Sequence, residues 1–389
     1  VGDGIRRGAE HVPQLGPAGA APDLRGLPLR DRRLSTTPVP DAFELAARLE
    51  DLPVRIEAVE AYAFPAPAAG YGDAPRPASR VTLRGGGVEG AGECVAWSAA
   101  DQARFAAGAG ALVGRGSLRL ADVAARLGRD APDPYWRAAL EMAAADLALR
   151  QAGTNPFRLA GVAPRPARVL LSFGTLDDPV HELERVLGPR SRAALKLDVA
   201  PAWTAATLAA LGAAGRVRVM DLKRRGDLAL AERVHAHVPG ALVEDPALAP
   251  GETVSASLSR RISFDAPVRR AADVGALPLA PAAVNVKPSR MGGLLEALRA
   301  FAECRMRGIR AYVGGMFEVG PGRPQLQVLA ALFAPDEWND VAPLRAAGDA
   351  AGREEGFVAI PSEFDGFGFT TRPDASPRAE PPPGRAAAS

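Results

Sequence analysis

The sequence predicts an α+β domain followed by a parallel-stranded α/β barrel. Three observations carry that reading. Glycine-punctuated strand-like runs occur between about residues 54 and 97, an apolar helical stretch follows them, and from Ala167 seven short strand-like runs alternate with helical segments. The chain has 389 residues and is 47% hydrophobic, enough for a large core and for two domains or one barrel with additions. Its formal charge of +2 argues against a strongly electrostatic nucleic-acid or anionic-membrane binder and leaves a small or acidic substrate as the expectation.

The elements follow in order. Residues 1–53 mix Pro, Gly, Arg and Asp without a sustained period and read as a partly irregular N-terminal extension. Residues 54–160 read as the α+β domain: VRIEAVEAYAF and SRVTLRGGGVEGAGECVAW are strand-like, with Gly85, Gly86 and Gly87 at the turn. In PYWRAALEMAAADLALRQAG, Trp136, Leu140, Ala143, Ala144 and Leu147 fall at helical spacing and predict a one-faced helix. Residues 161–345 read as the barrel, with strands ARVLLSFG, RAALKLDV, VRVMDLK, ALVEDP, RISFDAP, AAVNVKPS and IRAYVGGMFE. An open doubly wound sheet would need a phosphate-binding glycine turn after its first strand, and none is present. Residues 346–370 read as a segment returning toward the first domain, and residues 371–389 as a disordered, Pro-rich tail.

Several barrel runs are apolar and end in a charge. In a (β/α) barrel the carboxyl ends of the strands carry the chemistry. Lys196 and Asp198 end the second strand, Asp221 and Lys223 the third, Glu244 the fourth, Asp265 the fifth and Lys287 the sixth. The steps from Lys196 through Asp221, Glu244 and Asp265 to Lys287 are 25, 23, 21 and 22 residues, each about one strand–helix unit, so the charges converge on one mouth. Side chains two apart on a strand point the same way, which pairs Lys196 with Asp198 and Asp221 with Lys223. Three carboxylates from successive strands make a hard-oxygen cage suited to Mg2+. The lysines would then do the proton work. The plainer alternative is a set of structural ion pairs at strand ends.

With these residues in view, the sequence resembles the enolase superfamily, in its muconate-lactonizing-enzyme-like and mandelate-racemase-like branches. The resemblance covers roughly residues 54–345. It lies in the VEGAGE turn, the AAADLAL helix, and the strand ends LKLD, VMDLK, VEDP, SFDAP and NVKPSRMGG, followed by GGMFEVGPGR. It implies an α+β capping domain on a modified TIM barrel, (β/α)7β, with Mg2+ held by Asp221, Glu244 and Asp265. It also implies Lys287 as the sixth-strand acid/base and Lys196 as the first lysine of the second-strand K-x-K motif. The implied activity is abstraction of a proton α to a carboxylate, with the enediolate stabilised by Mg2+. Cycloisomerisation, a syn elimination of the dehydratase or o-succinylbenzoate-synthase kind, and racemisation are the outcomes.

The chain departs from that pattern. Asp198 stands where the second K-x-K lysine is expected, Lys223 where the third-strand D-x-N has its Asn, and Ala266 and Pro267 follow the fifth-strand acid. Asp198 and Lys223 are expected to compensate as a salt bridge, and Lys223 could instead fill part of the metal's place. Loss of the usual second-strand base favours a one-base reaction over racemisation, with Lys223 as a candidate replacement. The competing reading is a non-catalytic or metal-free protein of the same fold that binds an acidic metabolite.

Other expectations complete the picture. Glu318 is expected to end the seventh strand and line the pocket, and Arg323 to contact a substrate carboxylate or lie on the surface. Tyr71 and Arg76, in the Pro-rich turn from Ala66 to Pro77, are candidate specificity residues on a solvated loop. Cys94 and Cys304 lack metal or redox spacing, and His11, His181, His235 and His237 read as surface residues. No apolar run reaches the roughly 18 residues of a membrane span and no leader pattern opens the sequence, so the expectation is a cytoplasmic protein without nucleic acid or membrane; the resemblance implies in addition a homo-oligomer acting on a small carboxylate.

Overall fold

The computed structural model describes residues 39–66, 76–188, 191–342 and 356–369. Residues 1–38 of the expected partly irregular extension lie outside the described residues, and its last part holds a helix. Helix α1 (Ala42–Glu50) starts at Asp41, whose carboxylate accepts from the Phe43 and Glu44 N–H groups, and it buries Ala42, Leu45, Ala46 and Leu49. An N-cap acid followed by apolar residues at i, i+3, i+4 and i+7 is a helix signal that the surrounding Pro and Gly obscured.

The expected first strand is two. β1 (Pro53–Ile56) and β2 (Ala58–Ala66) join different sheets, since β1 pairs with β5 (Gly116–Arg119) while β2 pairs with β3 (Arg76–Gly85). β3 turns through Gly86 and Gly87, both at positive φ, into β4 (Val88–Cys94), completing a three-stranded antiparallel sheet. Helix α2 (Ala99–Val113) packs on β2 and β3, α3 (Leu120–Asp130) packs on α4 (Pro134–Gln151), α4 lies on β4, and α5 (Pro156–Ala160) follows. The glycines of VEGAGE explain the contact with α4. A Cβ on Gly90 would meet the Leu147 nitrogen at 2.3 Å, and one on Gly92 the Ala139 oxygen at 2.0 Å. Helix α3, strand β3 and the barrel helix Pro288–Met291 pack on α4 as well, and every residue from Ala138 to Leu149 is buried.

After the short β6 (Ala167–Arg168), the barrel strands are β7 (Leu171–Thr175), β8 (Leu195–Asp198), β9 (Val217–Asp221), β10 (Leu242–Glu244), β11 (Ile262–Phe264), β12 (Ala283–Val286) and β13 (Arg310–Val313). Between them run α6 (Pro179–Leu187), α7 (Ala205–Ala214), α8 (Leu228–His237), α9 (Ala256–Ser259), a 3-10 turn (Ala271–Ala276), α10 (Pro288–Met291) and α11 (Leu294–Met306). α12 (Gly322–Phe333) follows β13, and β14 (Phe357–Val358) pairs antiparallel with β6. Strands β7 to β13 form one parallel sheet in sequential order. Asn339 and Asp340 bridge its two ends through parallel contacts with Val169 and Gly314. This is an antiparallel capping domain on a modified TIM barrel, as the sequence predicted.

Buried carboxylates of the capping domain fasten it to the barrel. Glu141 on α4 accepts from the Leu295 N–H at the start of α11, and Glu93 on β4 accepts from the Val319, Gly320 and Gly322 N–H groups before α12. Near the C-terminus, Phe367 N–H donates to Asp146 and Asn155 donates to the Phe364 carbonyl, so this segment lies against α4 and α5. The tail beyond residue 369 is outside the described residues. No helix among the described residues is long and apolar enough to cross a membrane.

Candidate active site

The register of the parallel sheet builds the site. Asp198 and Asp221 are paired across β8 and β9, and Asp221 and Glu244 across β9 and β10, so three acids from neighbouring strands share one level. Asp265 lies one residue past β11, and Lys287 one residue past β12, where it caps α10. Asp221, Glu244 and Asp265 are all buried, and each offers an oxygen within 4.8 Å of the others. That spacing fits a hard divalent cation, whose oxygen ligands sit at about 2.0–2.6 Å.

The cations are interleaved with these acids. The Lys196 ammonium is buried 2.8 and 3.0 Å from the two Glu244 oxygens, 3.2 Å from Asp221 Oδ2 and 3.6 Å from Asp340 Oδ2. Lys223 Nζ lies 2.7 Å from Asp221 Oδ2 and 3.0 Å from Asp198 Oδ1, which is the expected salt bridge. Lys287 Nζ is 2.9 Å from Asp265 Oδ2, and Arg290 donates to the other oxygen of that carboxylate.

Five further residues join the site, four of which sequence reasoning missed: Tyr312, Asn285, Arg290 and Asp340. Tyr312 OH donates to Glu244 Oε2 at 2.7 Å, and Asn285 Nδ2 donates to Glu244 Oε1 at 3.2 Å. Asp245, at a positive φ of 50°, accepts from the Asp265 and Ala266 N–H groups at 2.8 Å and so orients the Asp265 loop. Asn285 was findable, because it stands two residues before Lys287 on one strand face. So was Arg290, one helical turn beyond Lys287. Tyr312 and Asp340 carry no comparable spacing signal, whereas Asp245 directly follows Glu244 in the VEDP strand end.

Proton affinities follow from this packing. Burial, reinforced by the charges of Asp221 and Asp265, pushes Glu244 up to about 7 against the pull of Lys196. Burial also raises Asp245, to about 6, with Asp265 adding to the effect. Asp265 goes the other way: burial would raise it, but Lys287 and Arg290 hold it well below the usual carboxylate range. Asp221 is likewise lowered, because Lys196 and Lys223 outweigh burial. Lys196 and Lys223 end above the usual lysine value even though burial pulls them down, since acids surround both ammoniums.

Three expected site residues are placed differently. Glu318 does not end a strand: β13 stops at Val313, and the buried Glu318 carboxylate accepts from Ser289 Oγ at 2.6 Å and Met316 N–H at 2.7 Å. Arg323 lies within α12, buried, with Nε donating to the Glu318 carbonyl, so it is neither on the surface nor a free carboxylate clamp. Arg76 begins β3 instead of riding a solvated loop, and its guanidinium stacks 3.6 Å from the Phe317 ring centroid and 4.1 Å from that of Trp97. Tyr71 lies outside the described residues, as does His11. His235 and His237 are half-buried on α8.

Comparison with known proteins adds to this geometry. The N-terminal and C-terminal models of a domain of unknown function, DUF8230, match residues 47–157 and 163–346. An N-succinylamino acid racemase of Thermus thermophilus is 28% identical over 237 residues, covering 53% of this chain and 63% of the relative. An o-succinylbenzoate synthase of Geobacillus kaustophilus is 30% identical over 204 residues, 48% of this chain and 53% of the relative. The chain thus spans little more than half the length of these curated relatives. Among solved structures, a mandelate racemase/muconate lactonizing protein from Herpetosiphon aurantiacus superposes with a TM-score of 0.67 at 21% identity, over 82% of this chain and 98% of that one. A dipeptide epimerase from Methylococcus capsulatus, complexed with Mg and the dipeptide L-Arg-D-Lys, gives 0.62 at 18%, over 81% and 99%. These likenesses show a shared fold, and the paired models span most of the chain. The chain belongs to the family described as DUF8230, and its fold is the one shared by solved members of the enolase superfamily.

Proposed function

We propose that this protein is a lyase or isomerase that removes the proton α to the carboxylate of a small organic acid. The observation that carries the reading is the convergence of Asp221, Glu244 and Asp265 with Lys196, Lys223 and Lys287 at one end of the barrel. Asp221, Glu244 and Asp265 would hold Mg2+, which when bound supplies Lewis-acid polarisation of the substrate carboxylate.

The chain's own groups divide the remaining work. Lys287, as the neutral amine, accepts the α-proton and, as the ammonium, returns it to the product or to a leaving group. Asp265 and Arg290 position it. Lys196, buried and tied to Glu244 and Asp221, is a fixed positive charge at the base of the site. Tyr312 and Asn285 hold the Glu244 carboxylate in place. Asp198 and Lys223 flank the acids from the β8–β9 side, whereas Lys287 approaches from β12.

Asp198 in place of a second-strand lysine supports a one-base outcome such as a syn elimination or cycloisomerisation. A two-base racemisation is the second reading, favoured by the Lys223 ammonium, which is 39% exposed beside Asp198. Both curated relatives carry a succinyl group in their names, so succinylated carboxylates head the trial panel. The test is proton NMR in D2O with Mg2+ and a panel of N-succinylamino acids and other succinylated carboxylates. Loss of the α-proton signal with at least one member supports the reading. Saturable binding across the panel without exchange or turnover favours the non-catalytic alternative, a binder of acidic metabolites.

A further inference from the structure

We infer that Lys223 is a tethered competitor for the divalent ion, with two resting positions: on Asp221 when the ion is absent and on Asp198 alone when it is bound. The inference rests on the proposed ion site and assigns a device to that site that the Asp198 and Lys223 exchanges create.

The two oxygens of Asp221 have different partners. Oδ1 accepts the backbone N–H of Lys223 at 2.8 Å, closing an Asx-type turn at the end of β9. Past that turn Lys223 and Arg224 lie in the left-handed region, at φ 51° and 58°, which residues with a Cβ seldom adopt. The turn sets the Lys223 side chain against the carboxylate that its own N–H engages. Oδ2 is then the oxygen left to meet a cation, and two ammoniums already face it, Lys223 at 2.7 Å and Lys196 at 3.2 Å.

The two ammoniums differ in their freedom to leave. Lys196 is 1% exposed and gripped by both Glu244 oxygens, with Asp340 beyond. Lys223 is 39% exposed, and Asp198 Oδ1 lies 3.0 Å from it on the side of β8. A short swing about the lysine side chain frees Asp221 Oδ2 and keeps the Asp198 ion pair. The ammonium stays protonated throughout, and the exchange swaps one cation for another at a single oxygen. Asp198 therefore serves as the parking place that lowers the cost of the swap, and metal affinity is set by competition within the chain.

The test is calorimetric titration of Mg2+, and separately Mn2+, into the full chain and its Lys223→Asn, Lys223→Met, Asp198→Asn and Asp198→Asn/Lys223→Asn variants. Asn accepts the left-handed backbone, and Met removes the charge without adding an oxygen ligand. Both single Lys223 variants are expected to bind the ion about tenfold or more tightly than the parent, since a unit charge a few ångströms from the ion is removed. Asp198→Asn is expected to weaken binding severalfold in the parent and to change little once Lys223 is gone, a coupling that a double-mutant cycle isolates. Equal affinity in parent and Lys223 variants, or an equal loss from Asp198→Asn in both backgrounds, would overturn the inference while leaving the ion site standing. Absence of Mg2+ and Mn2+ binding in every variant at millimolar metal would overturn the ion site itself, and this inference with it.

Discussion

Lys287 and Asp265 face each other across the ends of β12 and β11, with the Lys287 ammonium 2.9 Å from Asp265 Oδ2. Arg290, one turn on, takes the remaining oxygen. The proposed base and a proposed metal ligand are thus held by a common contact, which fixes where an α-proton must be presented. Lys287→Ala should lower α-proton exchange by about 10²–10⁴-fold, the usual worth of a positioned acid/base, while Mg2+ binding persists. NMR exchange rates check this, and unchanged exchange in the variant would remove Lys287 from the chemistry.

The same lysine depends on a missing methyl group. A Cβ on Gly314 would sit 2.3 Å from Asn285 Oδ1 and 2.7 Å from Lys287 Cε. Gly314→Ala should therefore displace both side chains, costing about 1–3 kcal/mol of stability and at least tenfold in turnover. Paired urea unfolding and kinetics check this; a variant with parental stability and turnover would contradict the packing.

Stability of the capping domain should hinge on Gly92. Its Cβ would overlap the Ala139 carbonyl, which as helix backbone cannot rotate away. Gly92→Ala is expected to cost more than about 3 kcal/mol or to prevent folding. At Gly87, which has a positive φ and open space, the same change should cost only about 1 kcal/mol. Thermal melts of the two variants side by side measure the contrast.

Buried acids set the pH dependence of stability. Burial pushes Glu93 and Glu141 up to about 7 from an ordinary 4.5. Between those values the folded chain keeps protons that the unfolded chain has released, so stability falls as pH rises through the window and levels off above about 7. Asp221 and Asp265 act oppositely: their folded-state values are depressed, so their contribution is present above the ordinary carboxylate value and is lost as pH falls below it. Urea unfolding in EDTA at pH 5, 6, 7 and 8 should show the decline. Glu141→Gln keeps an acceptor for Leu295 N–H and loses the charge, so it should flatten part of the slope; a slope identical to the parent's would contradict this assignment.

Much of the site was legible because a parallel barrel converts sequence spacing into spatial level. Asp221 and Glu244 are 23 residues apart and sit on one rung, and Asp198 with Lys223 forms the ion pair that their strand-end positions implied. The legibility ends where side chains reach the site by other routes. Asp340 comes from the segment that bridges the barrel's ends, and Tyr312 projects inward from a strand with no charge at its exit. Glu318 looked like a site residue because it was expected to end the seventh strand, and Arg323 because it follows the glycine-rich turn at 320–322. The chain uses them instead to brace that turn, one through Ser289 and the other through the Glu318 carbonyl. Helix α1 was hidden by composition, its four buried apolar residues lying directly after a Pro- and Gly-rich stretch.

The central claim is that Asp221, Glu244 and Asp265 share one divalent ion beside the lysines. Anomalous diffraction from crystals soaked in Mn2+ tests it most directly. The account predicts a single peak within about 2.0–2.6 Å of one oxygen from each of the three carboxylates. Density that leaves the Lys196 and Lys223 ammoniums on Asp221, with no anomalous peak among the acids, would contradict it.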